Sequence, residues 1–271
     1  MKPAVAPVVA QEWDVARKLY HTAVLVPMHD LDGLWREYEK FENDWSTTTA
    51  ETVTAKPREN YAAAKKAYRE RKQLWDVLKL TLPARIPTYD EATGKLVDKT
   101  VELQLEAWRS LLDWEATNPQ SLEPDVQLNR MRFTYRCALV CFRHFPEVWY
   151  GLTAACREAN DVDAEREAFQ TAIEALPDSL LLTFAYADFE EGQGKVSAAT
   201  DAYDKLLARS PPPLAYIQYM RFCRRVLGVD RSRKVFSLAR KAGADTHQVA
   251  THFVCTKLAD PWMNTSRLVL L

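Results

Sequence analysis

The chain reads as an all-α protein, an α-solenoid of stacked helix pairs, on three observations. Glycine is scarce, 7 in 271 residues, too few for the tight hairpins and glycine-rich loops of sheet-based folds. An aromatic residue with a small or polar residue four before it, and usually alanine three after, recurs as Met131/Tyr135/Ala138, Glu165/Phe169/Ala172, Ala199/Tyr203/Leu206 and Ser232/Phe236/Ala239, in steps of 34, 34 and 33 residues. Between these segments lies a second signature, clearest as Trp35/Tyr38/Phe41/Glu42, whose spacing places all four on one helical face. One helix pair cannot bury its apolar face alone, so such pairs stack and share an elongated core.

Taken along the chain, residues 1–11 are a patternless proline- and alanine-containing lead, expected to be flexible. Ala16/Tyr20/Ala23 then mark the second helix of a unit, closed by Pro27, and Trp35 to Glu42 mark the first helix of the next. Residues 43–60, threonine-rich and holding Pro57, suggest a linker or partly helical extension. A long polar helix is expected over 61–80, with the partial signature Ala64/Tyr68, followed by a loop over 82–100 containing Pro83, Pro87 and Gly94. Trp108, Leu111, Trp114 and Glu115 repeat the first-helix signature, and the helix around Tyr135 follows the short loop at 119–124. The first-helix pattern weakens in later units: Trp149/Leu152/Ala155/Cys156, then Thr183/Tyr186/Phe189/Glu190, then Tyr216/Tyr219/Phe222/Cys223. Pro146, Pro177 and Pro211 close the second helices at matching offsets, since proline cannot continue a helix. The aromatics fill the space between paired helices, and the terminal glutamates can satisfy polar groups of a neighbouring helix. The repeat region thus spans 12–259, with 260–271 a divergent tail.

Catalytic and ligand-binding constellations are scarce. Gly192-Gln193-Gly194 follows a helix instead of a strand and has no third glycine three residues on, which makes it a helix-ending turn before a nucleotide loop. Cys137, Cys141 and His144 share a helical face and form the best metal candidate, but inward-packed cysteines serve equally well as small hydrophobes. His21, His29, His247 and His252 have no partner at suggestive spacing, and the sequon at Asn264-Thr265-Ser266 reads as chance. No catalytic, cofactor-binding or metal-binding residue is therefore expected, and no enzyme. Five cysteines, an odd number without paired spacing, and the absence of a signal-like segment suggest a reducing compartment, and no apolar run reaches the ~18 residues a bilayer needs. The balance of 36 basic against 37 acidic residues means that nucleic-acid contact would have to be local. One locale is Arg221, Arg224, Arg225, Arg231, Arg233, Lys234, Arg240 and Lys241, set against Asp230 alone; a weaker one is Lys65, Lys66, Arg69, Arg71 and Lys72. Either is a solvated helix face or a footprint for phosphates. The first is the candidate surface for RNA or a partner, without interleaved aromatics for base stacking.

The residue types choose among solenoids. Tetratricopeptide units place glycine after Trp-x-x-Leu, where this chain has Glu39, Leu112, Thr153, Ala187 and Met220. The pattern instead resembles half-a-tetratricopeptide (HAT) repeats. Leu34-Trp35-Arg36-Glu37-Tyr38-Glu39-Lys40-Phe41-Glu42, Phe184-Ala185-Tyr186-Ala187-Asp188-Phe189-Glu190-Glu191 and Tyr216 to Arg225 are more specific, and resemble the family of the largest subunit of cleavage stimulation factor, or suppressor of forked. The resemblance covers about residues 12 to 259 and only the middle of that family's array, as a fragment or shortened gene product would. It implies a nuclear, non-enzymatic scaffold in messenger RNA 3′-end cleavage and polyadenylation. The implied partners are the other cleavage stimulation factor subunits and the cleavage and polyadenylation specificity factor, with pre-mRNA held mainly through them and a homodimer through the second half of the array. HAT scaffolding in splicing or ribosomal RNA assembly, and a tetratricopeptide-like peptide adaptor, are the alternatives.

Overall fold

A computed structural model describes residues 7–209, 211–244 and 247–258. Among them are twelve helices: α1 Pro7–Val24, α2 Leu31–Trp45, α3 Thr47–Trp75, α4 Lys99–Ala116, α5 Pro124–Phe142, α6 Pro146–Glu158, α7 Val162–Ala175, α8 Leu180–Gly192, α9 Val196–Leu207, α10 Pro213–Val226, α11 Val229–Lys241 and α12 His247–Leu258. The only β pairing among the described residues is the isolated Tyr89–Leu96 bridge. The chain divides into two compact units, one holding the chain to Pro83 and Pro87–Cys141, the other Ala84–Ile86 and the chain from Phe142.

In the first unit α2 packs against α3 and α3 against α4, while α1 touches both α2 and α3. In the second, α6/α7, α8/α9 and α10/α11 are the tight pairs, and α6 also meets α8 as α10 meets α12. Each unit is thus a run of helix pairs laid against the next pair, the solenoid arrangement. The repeat signatures supply its core. Trp35, Tyr38, Trp108, Trp149, Phe169, Phe189, Tyr203, Tyr216, Tyr219 and Phe222 are buried, as are the small partners Ala138, Ala172, Ala199 and Ala239. Phe41, Trp114, Tyr135, Tyr186 and Phe236 are half-buried. Rings from successive helices meet directly: Tyr203 stacks on Tyr219 at 4.8 Å between centroids, and Phe169 lies 5.6 Å from Phe189.

Helix ends follow local chemistry. The Asp161 carboxylate accepts from the Ala164 N–H at 2.9 Å, and that of Asp98 accepts from Thr100 N–H at 2.9 Å. Asp161→Ala should therefore cost about 1 kcal/mol in urea unfolding, the usual loss of an N-cap, with the fold unchanged by circular dichroism. The glycine pair of residues 192–194 is a helix terminus: Gly194 has φ +73°, and the next N–H, of Lys195, donates back to Glu190 O at 2.8 Å. Asp161 N–H to Cys156 O and Ala244 N–H to Ala239 O close the same turn in other units.

Two stretches differ from the expectation. Residues 7–11 of the lead belong to α1, while 1–6, and the tail 260–271 with its sequon, lie outside the described residues. Of the two readings of residues 43–60, linker and partly helical extension, the structure has the helical one, and more fully than expected: α2 runs to Trp45, Ser46 alone is extended, and α3 continues for 29 residues through Pro57. The reason is a helical stripe that the threonines disguise, with Ala50, Thr54, Pro57, Ala64 and Ala67 all buried at steps of three, four or seven. Pro57 removes one backbone donor but places its ring in that buried stripe, and the Thr54 hydroxyl turns back to donate to Ala50 O at 2.8 Å. The helix ends at Trp75, five residues short of the expected 80. Residues 82–98 form the loop, in which Asp90 accepts from Ala92 N–H and Thr93 Oγ1–H.

Candidate interaction surfaces

The terminal glutamates of the first helices mark the joints between pairs. Glu42, on α2, is buried and held by the Arg17 guanidinium of α1 at 2.7 and 2.9 Å. Glu190, on α8, is buried and held by Arg166 of α7 at 2.8 and 3.4 Å. Glu115, on α4, sits between Arg71 of α3 at 2.8 Å and Arg130 of α5 at 2.6 Å. Both cations approach Glu115 off the hydrogen-bonding direction, so that contact is an ion triad and not a set of aligned hydrogen bonds. In each case an arginine of the preceding second helix neutralises the carboxylate that closes the next first helix. A buried carboxylate without such a partner would be costly. A variant pairing occurs within α6/α7, where Arg157 donates to the buried Glu165 at 2.7 Å.

The sequence reading identified the glutamates and missed these arginines. The signal was present: Arg17 and Arg166 each stand three residues before the second-helix aromatic, Tyr20 and Phe169. Where the first helix ends in Cys156 or Cys223, buried sulfur replaces the carboxylate and needs no cation. Burial pushes the Cys223 thiol up to about 11. It should therefore stay unreactive toward a disulfide reagent at pH 8 in the native protein and react once unfolded; fast native labelling at Cys223 would show that α10 opens readily.

The metal candidate is not assembled as one. Cys137 is half-buried and Cys141 buried on α5, but His144 lies in the turn beyond the helix, and among the described residues no group of three or more potential ligands is close enough to hold an ion. Burial raises both thiols, as expected for inward-packed cysteines.

The basic surface of α10 and α11 is real but partly neutralised by helices distant in sequence. Arg225 forks onto Glu191 of α8 at 3.0 and 2.6 Å. Arg231 reaches Asp204 of α9 at 3.5 Å and donates to the Tyr219 hydroxyl at 3.2 Å, while that hydroxyl donates to Asp204 at 2.8 Å. Arg233 pairs with Asp230 at 3.0 Å. Eight cations against one carboxylate in the sequence thus become eight against Asp230, Glu191 and Asp204. Arg221, Lys234, Arg240 and Lys241 remain exposed, and Arg224 is half-buried. Burial, then the fields of Arg221 and Arg224, hold the His252 imidazole of α12 below its ordinary range. The α3 cluster is dispersed further: Lys65 pairs with Asp32 at 2.8 Å, Lys66 faces Glu70 at 3.9 Å, and Arg71 is committed to Glu115.

Among the described residues no helix is long and apolar enough to cross a membrane.

Residues 8–256 match the family described as suppressor of forked protein (Suf). Cleavage stimulation factor subunit 77 of Arabidopsis thaliana is 35% identical over 237 residues, covering 88% of this chain and 31% of the relative. Protein suppressor of forked of Drosophila melanogaster is 27% identical over 282 residues, covering 85% of this chain and 36% of the relative. The chain therefore spans about a third of the length of these relatives. A crystal structure of CstF-77 overlays 92% of this chain and 58% of its own, at 14% identity and a TM-score of 0.45.

Proposed function

The chain belongs to the suppressor of forked family, and from that premise we propose that it is a non-enzymatic scaffold segment of the nuclear machinery for messenger RNA 3′-end cleavage and polyadenylation. The observation that carries this reading is the 35% identity to a cleavage stimulation factor subunit over 88% of the chain. The stacked pairs and their buried ion joints suit the role, because they fix helix surfaces relative to their neighbours without requiring a ligand. Its partners are then the other cleavage stimulation factor subunits and the cleavage and polyadenylation specificity factor, with a second copy of the chain a further one.

Affinity purification of the tagged chain from nuclear extract, with and without nuclease, tests this. Polyadenylation factors recovered from both samples support a protein-held scaffold; splicing factors or ribosome-assembly factors in their place overturn it. Pre-mRNA is held mainly through partners, since Arg225, Arg231 and Arg233 already have carboxylates. Binding of a single-stranded RNA should accordingly be weak, and Lys234→Glu should flatten the dependence of log K on log salt by about one contact at most. A steep slope, on the order of six phosphates' worth, would shift the RNA role to this face.

A further inference from the structure

In the second unit the first helices α6 and α8 lie side by side, and a groove of about 580 Å³ opens between them. Its α8 wall follows from helical spacing: Leu181, Ala185, Asp188 and Gly192 stand four, three and four residues apart and share one face. Leu181 is 45% exposed. Ala185 and Gly192, to either side of Asp188, are small, and a Cβ added at Gly192 would meet nothing within 4 Å, so the Asp188 carboxylate can be reached from the groove. Rings supply much of the remaining wall, Tyr150 from α6, 37% exposed, and Phe184 from α8.

Three charged side chains line the groove, and two of them cancel. The Arg157 guanidinium donates to the buried Glu165 at 2.7 Å and also to the Tyr150 hydroxyl. Asp188 has no hydrogen bond or ion pair among the described residues. Arg225, outside the rim, forks onto Glu191 at 3.0 and 2.6 Å and reaches Asp188 only through its field. The groove walls strip water from the Asp188 carboxyl and hold it above its ordinary range, against the opposing field of Arg225. The groove therefore presents one uncompensated carboxylate among apolar and aromatic side chains.

That combination selects the occupant. Phosphates and acidic peptides are repelled, because the one cation in the lining is already engaged, so the groove suits protein and not RNA. A cation is attracted, and the walls favour one with a long apolar stem and a flat head. Arginine fits both, since its methylenes can lie on Leu181, its guanidinium plane stacks on rings, and its donors fork onto a carboxylate. The chain already uses this pairing elsewhere on α8, where Arg166 lies over the Phe189 ring at 5.4 Å while donating to Glu190. The groove is larger than one side chain, so the arginine arrives on a peptide segment.

We propose that the groove between α6 and α8 binds an arginine side chain of a partner protein, with Asp188 accepting from its guanidinium and Leu181 and Phe184 covering its stem.

The probe is a short serine- and glycine-rich peptide with one central leucine-arginine pair, titrated to millimolar concentration into the purified full chain and followed by amide NMR shifts. The shifts should map to α6 and α8. Citrulline in place of the peptide's arginine keeps the shape and removes the charge, and should weaken binding about tenfold or more, as for loss of a charge-assisted hydrogen bond. Lysine there should also bind less well than arginine. Asp188→Asn should produce the same loss as citrulline while leaving the melting temperature unchanged, because Asp188 has no partner in the folded chain. Asp188→Lys should turn the preference toward a glutamate-bearing peptide. Asp113→Asn, at the matching position of α4, should leave binding intact. The titration does not depend on which machinery the chain serves, so its failure is separable from that of the polyadenylation assignment. Absence of binding, equal binding of the citrulline peptide, or no effect of Asp188→Asn would overturn the proposal. So would displacement of the peptide by an oligouridine, or a homodimer that Asp188→Asn dissolves, each of which names a different occupant.

Discussion

Glu115→Ala should destabilise the first unit by about 3–5 kcal/mol, the cost of stripping a buried ion cluster of one sign. Glu115 is fully buried between Arg71 and Arg130, and no water-exposed route replaces it. Burial already works against the Arg130 charge, and Glu115 is the main group opposing that effect. Removing the carboxylate leaves two guanidinium groups facing each other across a void. Arg130 would keep its contacts with Gln120 and the Trp114 ring, and Arg71 that with the Trp75 ring, none of which supplies a negative charge. Glu115→Gln should be nearly as damaging, because it preserves volume and removes charge. The informative control replaces the whole triad, Glu115→Leu with Arg71→Met and Arg130→Leu, which should recover most of the loss or exceed the original stability, since desolvating three charges is itself unfavourable. Chemical denaturation of the four proteins checks this. A loss under about 1 kcal/mol for Glu115→Ala would mean that solvent screens the site.

Trp108→Ala should cost a similar 3–5 kcal/mol, for a different reason. The indole is 1% exposed, meets the edge of Trp75 at 5.9 Å, and shares the buried face of α4 with Leu105, Leu111 and Leu112. Its removal leaves a cavity too large for the neighbouring leucines to close. Because stacked pairs interact with their neighbours, the damage should be regional: amide exchange should accelerate in α3 to α5 and remain slow in α8 to α11. Uniform acceleration across both units would show that the chain unfolds as one cooperative body. Phe133→Ala, by contrast, should be within about 0.5 kcal/mol of neutral, because the ring is on the surface.

Much of this architecture was legible from residue order. The period near 34 and the two alternating signatures located the helix pairs because tryptophans, tyrosines and alanines report the core face directly. Legibility failed where the core face is made of unexpected residues. Alanine, threonine and proline at 50, 54 and 57 carry a buried stripe without any large apolar side chain, so residues 43–60 read as a linker or partly helical extension although α3 runs through them as continuous helix from Thr47. The candidate basic surface was only half legible. The arginines of α10 and α11 are visible as a run, but Glu191 and Asp204, which pair with two of them, come from helices α8 and α9, up to 34 residues away. Pairing across stacked helix pairs depends on how those pairs are laid together and has no local sequence signal. The arginines of the buried joints were partly legible: Arg17 and Arg166 share one spacing to the repeat aromatic, whereas Arg71 and Arg130 do not.

The continuous course of α3 bears on how the gene can vary. Its first half is fixed to α2, through Arg58 on Glu39 and through Tyr61 and Lys65 on Asp32; its second half is fixed to α4, through Glu70 on the Trp114 indole and Arg71 on Glu115. One codon inserted between Lys65 and Glu70 would turn everything beyond it by about 100° and advance it about 1.5 Å, so the two sets of contacts could not be made together. The loop at 82–98 imposes no such phase. Insertions and deletions accumulated over evolutionary time should therefore collect in that loop and be purged from α3, and a reading-frame-preserving insertion scan would map the helix as a stretch where length itself is under selection.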